Sequence, residues 1–260
     1  MAARLVGVIH LPPLPGSPRS ELEMNAILAQ VRADANALAG YDAIVVENFG
    51  DAPFWKTRVP PVTVAAMTRC VAVAADAGVA SIGVNVLRND AESALAIARV
   101  TGAAFVRINV HTGARVTDQG VIEGDAATTL RSRRALGADG VAIWADVDVK
   151  HSSPLGPPRA IAQEVSDVVH RGLADVVLVT GEGTGKGVDL AKLDAVRAAT
   201  DRPVLVASGA TVASLPELAK RANGVIVGSA LRRGGIAGGP IDPKLARDFA
   251  QAFRASFGNA

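Results

Sequence analysis

The chain has 260 residues, 20% of them charged, a formal net charge of +2 and one cysteine. That length buries a substantial core as one large α/β barrel or as two smaller domains, and the near-neutral balance excludes the long-range field that drives binding to nucleic acid. A lone cysteine excludes an internal disulfide and a cysteine zinc site, and no apolar run reaches the roughly eighteen residues of a membrane-spanning helix.

Met1 leads directly into a strand-like run from Leu5, which leaves no room for a secretory leader and predicts a cytoplasmic protein with no integral membrane association, at most peripheral to a membrane. Short apolar runs then alternate with Ala-rich or amphipathic stretches to the end of the chain, the pattern of consecutive βα units around a parallel sheet. The predicted strands are Leu5–His10, Ala43–Glu47, Ser81–Val86, Phe105–Val110, Val141–Ala145, Val176–Thr180, Val204–Ser208 and Val225–Gly228. Eight such units favour a single (β/α)8 TIM barrel over 1–260. An open doubly wound sheet would carry a glycine fingerprint after its first strand, where HLPPLPGSP stands instead.

Helix starts carry their own signals. Ser20 with Glu23, Asn89 with Glu92 and Ser214 with Glu217 have capping-box spacing, and Asp189 and Asp242 precede two further helices. Cys70 falls in an Ala-rich helical run and reads as a buried structural thiol.

The carboxyl ends of the strands of a barrel share one rim, and the residues there are more polar than the strands that feed them. The first strand delivers His10, a candidate acid or base, followed by a proline-stiffened loop. The second brings Glu47, Asn48 and Asp51 with Phe54 and Trp55 behind, a set suited to a hydroxyl-bearing ligand and compatible with a divalent metal held through oxygen; no cofactor is firmly indicated. Asn85, Arg88 and Asn89 follow the third strand. Arg107 and Asn109, two apart, share one side of the fourth, so Arg107 needs an acid such as Glu47 or Asp146. The connection from His111 to Gly124 is long enough to be functional.

VAIWADVDVKH is a buried strand running into charge. In an extended segment Asp146, Asp148 and Lys150 face one way, which predicts a protonated Lys150 among carboxylates, Asp146 as general acid or base, and His151 beside them. Thr180 and Gly181 open the stretch VTGEGTGKG, whose glycines suit either anion binding or a lid; the spacing around Lys186 fails the P-loop pattern. Ser208, Gly209, Gly228 and Ser229 stand where TIM barrels commonly hold phosphate, and Arg232 or Arg233 can add charge.

Several of these stretches together resemble the BtpA family, also called BtpA/SgcQ: GVIHLPPLPGSP from Gly7, VENFGDAPF from Val46, VNVLRND from Val84, VRINVHTG from Val106, ADVDVKH from Ala145, VTGEGTG from Val179, and the pair VASGAT and VIVGSALRRGG. The resemblance implies a TIM barrel of the ribulose-phosphate-binding type. It also implies a choice of function, because the namesake is a cyanobacterial protein associated with thylakoid membranes and needed for photosystem I accumulation, while other members sit with sugar-metabolism genes. It carries no catalytic residue set. The expectation is an enzyme on a phosphorylated sugar or nucleotide-like metabolite with isomerase or lyase chemistry, taking a small phosphorylated ligand, with a homo-oligomer left open; the alternative is a non-enzymatic assembly or regulatory factor.

Overall fold

The computed structural model describes residues 4–181 and 187–258, so most of the glycine-rich stretch after the sixth predicted strand lies outside the described residues. The strands are β1 (Arg4–His10), β2 (Ala43–Glu47), β3 (Ile82–Asn85), β4 (Phe105–Ile108), β5 (Ala114–Thr117), β6 (Gly120–Glu123), β7 (Ala142–Val147), β8 (Ser153–Pro154), β9 (Val176–Val179), β10 (Val204–Val206) and β11 (Gly224–Val227). Eight of them close into a parallel barrel in the order β1-β2-β3-β4-β7-β9-β10-β11. Each is buried almost throughout, because helices cover the outside and side chains fill the inside, so the apolar runs show no polar alternation.

Alternation is present in a different sense. Val6, Val8, Ala43, Val45, Phe105, Trp144, Val176, Leu178, Leu205, Ala207 and Ile226 form one apolar cluster inside the barrel. Their neighbours in sequence, such as Leu5, Ile9, Ile44, Val106 and Ile143, join the larger cluster between strands and helices. Successive side chains of a strand point to opposite faces, so continuing the inward set by two residues brings His10, Glu47, Asn85, Arg107, Asp146 and Thr180 into the barrel mouth.

Helices α1 (Met24–Ala37), α2 (Pro61–Ala75), α3 (Ala91–Thr101), α4 (Ala126–Ala135), α5 (Ile161–Ser166), α6 (Leu190–Ala198), α7 (Leu215–Ala219) and α8 (Pro243–Phe257) complete the units. Asp189 and Asp242 cap α6 and α8 as expected, each accepting backbone N–H groups from the first turn. The other three starts differ. Glu23 precedes α1 without a side-chain cap, Asp90 and not Asn89 caps α3, and the capping box is Thr211–Ser214. Asn89 is taken by a non-local partner, since its amide exchanges two 2.8 Å hydrogen bonds with the backbone of Val110. Cys70 is buried as expected.

The long connection after β4 folds into the hairpin β5–β6, and β8 pairs with β5 to make a small antiparallel sheet beside the mouth. No helix among the described residues is long and apolar enough to cross a membrane.

Candidate functional site

The mouth is organised around one buried guanidinium. Arg107 Nη2 lies 3.1 and 3.2 Å from the two oxygens of Asp146, and Nη1 is 3.8 Å from Glu47 Oε2. Asn109 Nδ2 donates to Asp146 at 2.6 Å and Asn85 Nδ2 to Glu47 at 2.8 Å. Burial works against every one of these charges, but Asp146 and Glu47 hold the Arg107 pKa above its usual value. Burial alone raises the Glu47 pKa; Arg107, His10, Lys150 and the Asn85 amide outweigh it and keep the carboxylate ionised. The expected pairing of Arg107 is therefore what the structure shows.

Asp146 takes a different role from the one expected of it. Its side chain is fully covered, and both oxygens are held by Arg107 or Asn109, so in this arrangement it positions Arg107. Glu47 faces the cavity instead.

His10 stacks on Phe49 with ring centroids 4.3 Å apart, and the Gly238 N–H donates to its Nδ1 at 3.1 Å. Burial, followed by the Arg232 charge, pushes its pKa down to about 3. The ring is neutral at pH 7 with its proton on Nε2, which points towards Glu47 Oε1 at 3.9 Å. Folding thus lowers the number of protons bound between pH 6.5 and about 3, so this histidine makes stability fall as pH falls through that window, by at most about 1.4 kcal/mol per unit. In urea unfolding, the stability of the parent chain relative to His10→Gln should shrink between pH 7 and pH 5; a difference that stays constant contradicts the buried neutral ring.

Asp148 does not face the mouth with its neighbours. Its backbone turns to a φ of 50°, beyond the end of β7, and its carboxylate leaves to pair with Arg115 at 2.8 Å and with Lys192. Lys150 returns to the mouth, with its N–H on Thr180 Oγ1 at 2.9 Å and its carbonyl accepting from Arg88 Nη2 at 3.1 Å. Among the described residues no carboxylate lies within 4.0 Å of its Nζ, so the expected lysine among carboxylates is not what forms. Burial first and Arg107 second lower its pKa. His151 is exposed at the rim and lines the same cavity.

Asn48 and Asp51 serve the loops and do not line the mouth. Asn48 Oδ1 accepts the Leu87 N–H at 2.7 Å, its Nδ2 donates to Asp51, and Asp51 accepts the Leu14 N–H at 2.8 Å. The cause is alternation: Glu47 points inward, so the next residue points away from the barrel axis.

The cavity above Arg107 encloses about 570 Å³ between the proline-rich loop, Phe49, Arg88, Asp118, Lys150 and Gly238. Asp118 at the hairpin tip and Gly238 were not foreseen from the sequence, and their approach to the mouth is non-local. A narrower recess continues inward past His10 and Lys150 to Ser208, Gly209, Gly228 and Ser229. Ser208 Oγ accepts the Gly181 N–H at 2.9 Å and fixes the two loops together. Among the described residues the N–H groups of Gly209, Ala210 and Ser229 have no hydrogen-bond acceptor. Arg232 is buried and donates to the carbonyls of Val8, Gly228 and Gly239, so it braces this loop, while Arg233 is exposed and pairs with Asp242.

The BtpA family model matches residues 1–255. The chain belongs to the BtpA family. Within it, the photosystem I biogenesis protein BtpA of Synechocystis is 48% identical over 95% of this chain and 87% of its own length. An uncharacterised protein of Thermococcus kodakarensis is 40% identical over 94% of this chain and 92% of its own. Among solved structures, this BtpA-family barrel superposes on tryptophan synthase of Mycobacterium tuberculosis with a TM-score of 0.61 at 18% identity, covering 98% of this chain and 93% of that one. Phosphoribosylanthranilate isomerase of Pyrococcus furiosus gives 0.56 at 17%, covering 97% and 99%. Thiamine phosphate pyrophosphorylase of the same organism gives 0.56 at 14%, covering 98% and 95%. At such identities the likeness shows the fold.

Beside the mouth of the BtpA-family barrel, a second cavity of about 230 Å³ lies under the hairpin, lined by Arg115, Asp148, Leu155, Arg159 and Glu164. Arg115 is spent on Asp148 and Glu164, and Arg159 on Asp167 at 2.6 Å. No cluster of three or more metal-ligating side chains occurs among the described residues.

Proposed function

We propose that this BtpA-family protein is an enzyme that binds a phosphorylated sugar or nucleotide-like metabolite and carries out isomerase or lyase chemistry at the barrel mouth. The observation that supports this most directly is the set of N–H groups at Gly209, Ala210 and Ser229 with no acceptor among the described residues, which line a recess that opens into the cavity holding Glu47, Arg107 and Lys150. Ala210 is buried and Gly209 and Ser229 are half-buried; a buried backbone donor without an acceptor is costly, and an anionic group with several lone pairs satisfies all three together. Phosphate held there leaves the rest of a small molecule beside the ionised Glu47 and the Nε2–H of His10, an acceptor and a donor suited to moving and stabilising protons. Two barrels of similar fold are named for phosphorylated compounds, which is support by analogy alone.

A second reading rests on the Synechocystis relative, whose name assigns it to photosystem I biogenesis. On that reading the chain is a non-enzymatic assembly or regulatory factor. Ligand binding separates the two, because a molecule that binds only the folded state must raise the melting temperature. A panel of sugar phosphates and their unphosphorylated counterparts should yield stabilisation by phosphorylated members alone. A flat panel would leave the assembly reading in possession.

A further inference from the structure

Among the described residues Lys150 Nζ has no hydrogen-bond or ion-pair partner, although it lines both the outer cavity and the inner recess. Its backbone is fixed on both sides, by Thr180 Oγ1 on its N–H and by Arg88 on its carbonyl, which sets the side chain at the junction of outer cavity and inner recess. Among the described residues the charged and titratable groups that act on it or share its cavity are Arg107, Arg88 and Arg19, Glu47, Asp146 and Asp118, and the rings of His10 and His151. Asp146 is committed to Arg107 and Asn109, while Glu47 bonds Asn85 and lies beside Arg107, and neither comes within 4.0 Å of Nζ. The Arg107 and Arg88 guanidinium groups repel a further cation. Burial acts in the same direction, and the pKa of the amine is lowered accordingly.

We infer that Lys150 is an amine nucleophile that forms a Schiff base with the carbonyl group of a phosphorylated aldehyde or ketone. The phosphate half of this inference rests on the function proposed above; the amine half stands on the surroundings of Nζ. Lys150 and the loops of Ser208, Gly209, Gly228 and Ser229 line one recess, so a small molecule anchored by its phosphate presents its carbonyl carbon to Nζ. The nitrogen lone pair forms the C–N bond as the carbonyl π pair moves to oxygen, where the Nε2–H of His10 meets the developing charge. Both amine protons leave with that oxygen as water, giving the imine. Protonated from solvent, the imine draws electrons from the adjacent bond, which is what either a lyase or an isomerase of a carbonyl compound requires. Hydrolysis by water reverses the linkage and frees the amine.

Pyridoxal 5'-phosphate, an aldehyde bearing phosphate, is the probe, with borohydride to fix the imine and peptide mass mapping to locate it. The expected result is an adduct at Lys150 while the exposed Lys220 and Lys244 remain unmodified, lost in Lys150→Met and in Lys150→Arg, with circular dichroism and the melting temperature of at least one variant like those of the parent. Pyridoxal without phosphate should label Lys150 far less. Equal labelling by both aldehydes would retain the amine and overturn the phosphate half. A melting temperature raised by the phosphorylated probe, with Lys150 labelled no sooner than Lys220, would retain the phosphate reading and overturn the Schiff base.

Discussion

Arg107→Met should cost about 3 to 5 kcal/mol of folding stability in urea denaturation at pH 7, the range found when one partner of a buried ion pair is removed and the other is stranded. Two carboxylates are stranded here. Asp146 has no exposed side-chain surface and Glu47 only 9%, so both lose most of their charge compensation with the guanidinium. The loss also has a pH signature. In the parent chain the Glu47 pKa is held down, a contribution to stability that is present above the unfolded value and lost as pH falls through the folded one. Without Arg107 the burial of Glu47 favours its protonated form, so the deficit of the variant should narrow on acidification. Adding Glu47→Gln and Asp146→Asn to Arg107→Met should recover part of the loss at pH 7, because neutral amides need no cation. A deficit below about 1 kcal/mol, the range of an exposed pair, would contradict the buried network.

Phe105→Ala should cost about 3 to 5 kcal/mol, as for other buried aromatic truncations. The ring stacks on Trp144 with centroids 3.8 Å apart and an interplanar angle of 11°, and both rings lie in the apolar layer directly beneath Arg107 and Asp146. Gly83 makes the space for this stack, since a Cβ there would fall 2.1 to 2.5 Å from three atoms of the Phe105 ring. Gly83→Ala alone should therefore cost about 1 to 3 kcal/mol or more through overpacking. The two changes share one volume. In the Phe105→Ala background the added methyl has room, and the double variant should be more stable than the sum of the single losses predicts, by about the Gly83→Ala cost. Strict additivity would show that Gly83 does not accommodate the ring.

The eight barrel strands were legible because strands covered on both faces are written as unbroken apolar runs, whereas the short, partly exposed strands β5, β6 and β8 in the loops carry no such run. The sequence predicts an end at Ala145 for the strand after Gly140, but the strand continues to Val147, so Asp146 belongs to it and its inward direction follows from that of Ala142 and Trp144. Alternation also puts Arg107 and Asn109 on one side of their strand from sequence spacing alone. Other features depend on partners distant in sequence. Asp148 is drawn out of line by Arg115 and Lys192, and nothing in DVDVK signals the change of backbone at an aspartate. Asn89 and Asp90 are equally good caps by residue type; Val110 takes the first and leaves the second to the helix. The adjacent Arg232 and Arg233 look alike in sequence, and only the carbonyls of Val8, Gly228 and Gly239 separate a buried brace from an exposed arginine.

Titration of the folded chain with ribose 5-phosphate, followed by 31P resonance shift, tests the central claim of a phosphate recess at the inner end of the mouth. The parent protein should shift and broaden the resonance at concentrations where Ser229→Glu, which places a carboxylate beside the unsatisfied N–H groups, has no effect while melting like the parent. Binding of equal strength to the parent and to Ser229→Glu, or none to either, would contradict it.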